Sequence, residues 1–194
     1  MTDTKYTDLV VDFTLNQKYE DFPERALQVA REATLDCIGV TMAGAIEPAG
    51  EIGAQWAKSC AGAQQSTVWG HGFKTAADHA ALVNGTAAHA LDYDDVTWGL
   101  VGHPSVSLVP ALIALGELTC ASGKDVLLGY AVGFEVMAKI GRTTQPLHSL
   151  EARWHATGTI GSFGACAACC RLLNLNAEQT AYALGIVYSM TSGN

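Results

Sequence analysis

Basic residues are scarce in this sequence. Lys and Arg together number 11 against 19 Asp and Glu, which gives a formal net charge of −8 at pH 7. The basic residues are spread singly along the chain and form no stripe that can neutralise a row of phosphate groups. We therefore expect no nucleic-acid partner.

Long uninterrupted hydrophobic runs are also missing. The least polar stretch, residues 101–121, contains Pro104, Pro110 and Glu117, so no segment predicts a membrane span. Residues 1–18 carry acidic residues and lack the basic start and apolar run of a secretory signal. The six cysteines do not follow the regular spacing of a disulfide-stapled secreted scaffold. These absences predict a cytoplasmic protein with no membrane partner.

The composition predicts a folded, mainly helical chain. Hydrophobic residues make up 49% and charged residues 15%, which suits one sizeable core. Apolar residues recur at helical spacing in most segments, and Ser66–Gly70 is the one segment that reads as extended. We predict an all-α fold, with residues 1–194 as a single helical-bundle domain. The predicted helices cover approximately residues 6–15, 23–44, 48–60, 76–90, 104–119, 125–142, 156–173 and 176–190.

An acidic run follows one of these helices. Thr75 and Asp78 match a capping-box pattern, which predicts a helix from Ala76 to about Ala90. The run Asp92-Tyr93-Asp94-Asp95 then falls at the carboxyl end of that helix. Negative charge is disfavoured there because the unpaired carbonyl groups already carry partial negative charge. We interpret the run as functional.

The densest group of polar residues is centred on this run. His89 precedes it, and Gly102-His103-Pro104-Ser105 follows at the start of the next helix. An imidazole, with an ordinary pKa of roughly 6.5, suits proton transfer beside a carboxylate, so His103 is a candidate catalytic residue. Asp92 or Asp95 can fix its tautomer. The alternative is a solvated loop with helix-capping residues.

A second candidate site is the segment Arg153-Trp154-His155-Ala156-Thr157-Gly158-Thr159. His155 stands just before a helix whose first amides, with the hydroxyls of Thr157 and Thr159, can hold a substrate carboxylate. Arg142 can bind another carboxylate through two parallel hydrogen bonds. The alternatives are that His155 merely begins a helix and that Arg142 complements the dipole of its own helix.

A metal site is an alternative for the acidic run. The HExxH, EF-hand and paired CxxC spacings are absent, and so are phosphate-loop and dinucleotide fingerprints. We therefore predict no metal and no cofactor. A Mg²⁺-dependent helical enzyme that uses the Asp92–Asp95 cluster remains the alternative, with these possible ligands: Asp92, Asp94, Asp95, His89 and His103.

The order of these motifs resembles that of the MmgE/PrpD family, which includes 2-methylcitrate dehydratases. The residues that carry the resemblance are Asn84 to Asp95, Gly102 to Ser105, Pro110 to Leu112, Gly129-Tyr130, Trp154 to Thr159, Ala177 to Gln179 and Ala183 to Ile186. They occur in order over essentially the whole chain.

The resemblance implies a metal-independent lyase or isomerase that moves protons on a small di- or tricarboxylic acid by elimination, decarboxylation or epimerisation. It also implies a homodimer without cofactor. His103 and His155 match the two active-site histidines of the family, and Asp92 matches the aspartate that accompanies them. Which histidine is the base stays open, and Asp95 is a further candidate for substrate binding.

Family members are more than twice as long as this chain. The resemblance therefore implies an amino-terminal portion of the helical domain, with the smaller α/β lid domain absent from these 194 residues. On this interpretation the isolated chain is incomplete as an enzyme. A non-catalytic helical dimerisation module, or a truncated remnant, is the alternative from another functional class, with an apolar face near residues 182–190 left for a partner.

Overall fold

The computed structural model describes residues 6–191. Residues 1–5 and 192–194, the two ends of the predicted domain 1–194, lie outside the described residues. The described part is mainly α-helical, which confirms the predicted fold class. Its α-helices are α1 (Tyr6–Asn16), α2 (Glu24–Gly44), α3 (Pro48–Ser59), α4 (Ala77–His89), α5 (Pro104–Thr119), α6 (Gly123–Thr144), α7 (Ala156–Leu172) and α8 (Ala177–Met190).

A small hairpin separates α3 from α4. Strand β1 (Ser66–Val68) pairs antiparallel with β2 (Phe73–Thr75). Gly70 and Gly72 lie between the strands with φ angles of 78° and 67°, a backbone region that glycine adopts without steric cost. The sequence predicted the first strand but missed the second, since its last residue, Thr75, was assigned to the start of the next helix.

The predicted capping box at Thr75 is wrong. Thr75 ends β2, where it pairs with Ser66, and its buried hydroxyl has no hydrogen-bond partner. Helix α4 begins two residues later at Ala77, and its N-cap residue Ala76 makes no side-chain cap. Pairing with β1 therefore fixes the backbone of Thr75 in an extended conformation before the helix can begin.

Helix α5 supplies two of the fully buried leucines of the main core. Leu108 and Leu112 are fully buried among α2, α4, α6 and α7. Helices α6 and α7 pack closely where Gly133 faces Gly164. A Cβ atom added at Gly133 would lie only 2.6 Å from the carbonyl oxygen of Gly164, so a larger residue would not fit there. Helix α5 also packs against α7, and the starts of these two helices lie in the same part of the molecule.

Helix α8 keeps an apolar face exposed in the described residues. Tyr182, Ile186 and Met190 are each more than half exposed. These side chains lie in the segment, residues 182–190, for which we expected an apolar face left for a partner. No helix among residues 6–191 has the length and apolar character needed to cross a membrane.

We expect Leu108→Ala to lower the free energy of unfolding by about 2–5 kcal/mol, because it removes a fully buried side chain and leaves a cavity. Leu118→Ala on the same helix is the matched control, since Leu118 is 43% exposed. Urea denaturation followed by circular dichroism measures both. Equal losses for the two variants would contradict the placement of α5 in the core.

Candidate active site

The turn after α4 brings an aspartate back to the last residue of the helix. Helix α4 ends at His89, and Asp92 then adopts a left-handed conformation with a φ angle of 50°. Aspartate tolerates this region better than most residues. As a result Asp94 returns to His89, whose Nδ1 lies 3.0 Å from Oδ1 and 3.1 Å from Oδ2 of the Asp94 carboxylate.

His103 lies beside the same carboxylate. It is the residue before α5, and its Nδ1 is 3.3 Å from Oδ1 of Asp94 and 3.3 Å from the Asp94 carbonyl oxygen. Its other ring nitrogen, Nε2, is 3.5 Å from Oδ1 of Asp92. The Asp94 side chain is fully buried whereas that of Asp92 is 80% exposed. The two aspartates therefore contact opposite sides of one imidazole.

A third imidazole, that of His155, completes the cluster. His155 is the residue before α7, and its ring centroid lies 5.6 Å from that of His89. The centroids of His89 and His103 are 4.8 Å apart. The two histidines singled out in the sequence are thus brought to one place, and both contact the ring of His89.

Helices α5 and α7 are tied together at their first residues. The backbone N–H of His103 donates to the hydroxyl of Thr157 over 3.0 Å, and the hydroxyl of Ser107 donates to the Thr157 carbonyl. A Cβ atom added at Gly102 would lie 2.8 Å from the Thr157 hydroxyl oxygen, so glycine is needed for this approach. Val101, in the same loop, has a φ angle of 58°, which is strained for a β-branched residue.

The predicted substrate-binding residues occupy different positions relative to the cluster. Thr157 is buried, and its hydroxyl already accepts from His103. The Thr159 hydroxyl lies 3.1 Å from the carbonyl oxygen of His155 and 3.0 Å from Nε2 of His148. Arg142 is exposed near the end of α6, where its guanidinium lies against Gly99 of the loop before His103. Their contact with a substrate stays a prediction.

Asp95 binds Ser105 instead of an imidazole. Its carboxylate accepts from the Ser105 backbone N–H over 3.1 Å and from the Ser105 hydroxyl over 2.7 Å. Burial raises the pKa of Asp95, and the hydrogen bonds from Ser105 oppose that shift. Ser105 is the second residue of α5, so the carboxylate satisfies an amide at a helix start, where negative charge is favoured. This contact explains part of the acidic run structurally, and it differs from the option that Asp95, in place of Asp92, fixes the tautomer of His103.

Two residues of the cluster had no catalytic role in the sequence analysis. His89 and Asp94 entered it only as possible metal ligands. The signal that links them is weak, because their spacing of five residues brings them together only after the left-handed turn at Asp92. A histidine in the last turn of a helix, followed by an acidic run, is the sequence feature from which this contact follows.

The cluster has the donor atoms that a metal ion requires. Four side chains each offer one ligand atom, and these atoms lie within 4.8 Å of one another: His89, Asp92, Asp94 and His103. This is the possible metal-binding group found among residues 6–191. Asp95 is outside it. Mixed nitrogen and oxygen donors suit Zn²⁺ or another transition metal better than Mg²⁺, which prefers oxygen. Both oxygens of Asp94 already contact imidazole nitrogens, an arrangement that serves proton transfer equally well.

The chain is similar in sequence to known cis-aconitate decarboxylases. The chain is 32% identical to cis-aconitate decarboxylase of Homo sapiens over 171 residues, which is 86% of this chain and 35% of the human protein. It is 31% identical to cis-aconitate decarboxylase of Mus musculus, over 89% of this chain and 36% of the mouse protein. It is also 30% identical to the cis-aconitate decarboxylase-like protein oryM of Aspergillus oryzae, over 91% of this chain and 38% of that protein.

The matches to these relatives span 35–38% of their length. The model of the MmgE/PrpD N-terminal domain matches residues 9–194, which include every residue of the histidine cluster. The chain therefore belongs to the MmgE/PrpD family, the family whose motif order its sequence resembles.

Proposed function

We propose that this chain supplies proton-transfer groups of a metal-independent lyase that decarboxylates a small tricarboxylic acid of the cis-aconitate type. The observation that carries the proposal is the cluster of three imidazoles. His89 and His103 contact the buried carboxylate of Asp94, and His155 lies against the ring of His89. Family membership and the names of the relatives support a decarboxylase. We further propose that residues 1–194 act as one helical domain, in the cytoplasm and as a homodimer.

The proposed reaction needs one proton for each turnover. When a carboxylate leaves as CO₂, the electron pair of the broken C–C bond stays on the substrate and creates a carbanion-like centre. An imidazolium of His103 or His155 protonates the carbon framework, and water returns the proton to the imidazole. Asp92, 3.5 Å from Nε2 of His103, is the carboxylate that we propose to accompany that ring in the transfer.

Binding of the substrate depends on local groups, because the chain as a whole carries a net charge of −8 and repels an anion at long range. The first amides of α7, directly after His155, supply partial positive charge. Thr159 and the exposed Arg142 are the side chains that we propose for two substrate carboxylates, with Thr157 holding the amide of His103 in place.

Two other functions are alternatives to decarboxylation. Elimination and epimerisation use the same imidazoles, so a 2-methylcitrate dehydratase-like reaction is the second candidate within the family. A non-catalytic helical dimerisation module is the candidate from another class, and the exposed apolar side chains of α8 support it. This chain covers only 35–36% of the length of its human and mouse relatives. An assay of the isolated chain therefore separates an enzyme from a non-catalytic module.

We expect any turnover by the purified chain, incubated with cis-aconitate, 2-methylcitrate or iminodisuccinate, to be the release of CO₂ from cis-aconitate. Proton NMR of the reaction mixture identifies each product, and boiled protein is the control. Turnover of 2-methylcitrate or iminodisuccinate instead would replace decarboxylation by elimination or epimerisation. No turnover of any substrate, together with a dimer in analytical ultracentrifugation, would favour the dimerisation module.

We expect His103→Gln and His155→Gln each to lower kcat by about 10² or more, because each removes a proton carrier from the cluster. His71→Gln is the matched control, since His71 lies in the hairpin between β1 and β2. Initial rates at saturating substrate measure the effect. Rates within about twofold of the unsubstituted chain would remove the histidine from the mechanism.

We expect treatment with a chelator to leave the rate unchanged, since the proposed chemistry uses imidazoles in place of a metal. Dialysis against EDTA, followed by assay with and without added Mg²⁺ or Zn²⁺, tests this. Loss of activity on chelation and recovery with either ion would overturn the metal-free proposal and assign the ion to His89, Asp92, Asp94 and His103.

A further inference from the structure

We propose that Asp94 is a positioning residue that sets the tautomer of two histidines at once. It holds His89 and His103 with the proton on Nδ1, so that Nε2 of each ring is the nitrogen available to a substrate. The role in turnover rests on the proposed function, whereas the tautomers themselves do not.

The neighbours of His103 favour a proton on its Nδ1 nitrogen. This nitrogen lies 3.3 Å from a carboxylate oxygen of Asp94 and 3.3 Å from the Asp94 carbonyl oxygen. A carbonyl oxygen and an ionised carboxylate only accept hydrogen bonds, so both favour an N–H on Nδ1. The tautomer of a histidine follows the hydrogen bond that one ring nitrogen makes.

The same carboxylate determines the proton position on His89. Its Nδ1 is within 3.1 Å of both Asp94 oxygens, and the side chain of Asp94 is fully buried. A buried carboxylate without donors is costly because it loses its hydration. The Nδ1–H groups of the two imidazoles supply the donors that replace water, which links the stability of Asp94 to the tautomer of both rings.

Asp92 is the competing group, because its carboxylate favours a proton on Nε2 of His103. Its separation of 3.5 Å exceeds the usual hydrogen-bond length, and its side chain is 80% exposed to water that screens its charge. The buried Asp94 therefore outweighs Asp92 in fixing the neutral ring.

Two-bond ¹H–¹⁵N correlation spectra of the full chain, recorded in EDTA about two pH units above the ordinary imidazole pKa of roughly 6.5, read the tautomers directly. His89→Gln and His103→Gln assign the signals. We expect both rings to carry the proton on Nδ1 in the unsubstituted chain. Nε2–H signals from either ring there would overturn the proposal, and this result needs no variant of Asp94 to fold.

Asp94→Asn replaces one acceptor oxygen with an amide that only donates, so at least one of the two rings should lose its Nδ1–H signal. Asp92→Asn is the matched control and should leave both signals in place. Unchanged tautomers in Asp94→Asn, or a switch of His103 in Asp92→Asn alone, would overturn the assignment to Asp94.

Where cis-aconitate is turned over, we expect Asp94→Asn to lower kcat about 10–100-fold, the usual scale for an outer group that orients a functional histidine. The KM should change little. Absence of turnover by the unsubstituted chain would count against the proposed function and leave the spectroscopic test intact. Full kcat in a folded Asp94→Asn variant with altered tautomers would overturn the link between Asp94 and catalysis.

Discussion

The hydrogen bond between the His103 amide and the Thr157 hydroxyl joins residues 54 positions apart in the sequence, and the candidate site depends on it. It fixes the start of α5 against the start of α7. Each of these helices is preceded by a histidine, so the bond places both imidazoles on one side of the molecule. The close approach requires glycine at position 102 and a strained backbone at Val101, which are costs that the packing of α5 and α7 must offset.

The sequence was sufficient for the helices because their burial follows local periodicity. The bounds of α5 match the prediction at both ends, and its first residue, Pro104, suits the first turn of a helix. The hairpin was only half predicted and the cap at Thr75 was wrong, since both depend on pairing between β1 and β2. Local patterns describe a residue with its neighbours in sequence, and Thr75 is held by Ser66.

In the candidate site, too, the sequence predicted some features and missed those that depend on how the chain folds back. The resemblance to the family singled out His103, His155 and Asp92, and the structure brings the two histidines together around His89. The sequence did not predict that Asp94 contacts two rings, because that contact requires the chain to reverse after α4. It also attributed the whole acidic run to chemistry, although Asp95 stabilises the start of α5 through Ser105.

The buried carboxylate also bears on how an acidic protein can accept an anionic substrate. The side chain of Asp94 is fully buried at the site, where a carboxylate without partners would repel each substrate carboxylate in a medium that screens charge poorly. Nδ1 of His89 and Nδ1 of His103 lie 3.0 Å and 3.3 Å from Oδ1 of Asp94, so two polar neighbours take the place of water that this side chain loses on burial. Removing either imidazole would take away one of these two partners of the buried carboxylate, which is costly because water cannot replace it there. On this proposal His103 alone serves both the stability of Asp94 and the proton transfer, since it contacts Asp94 through Nδ1 and is left to transfer a proton through Nε2.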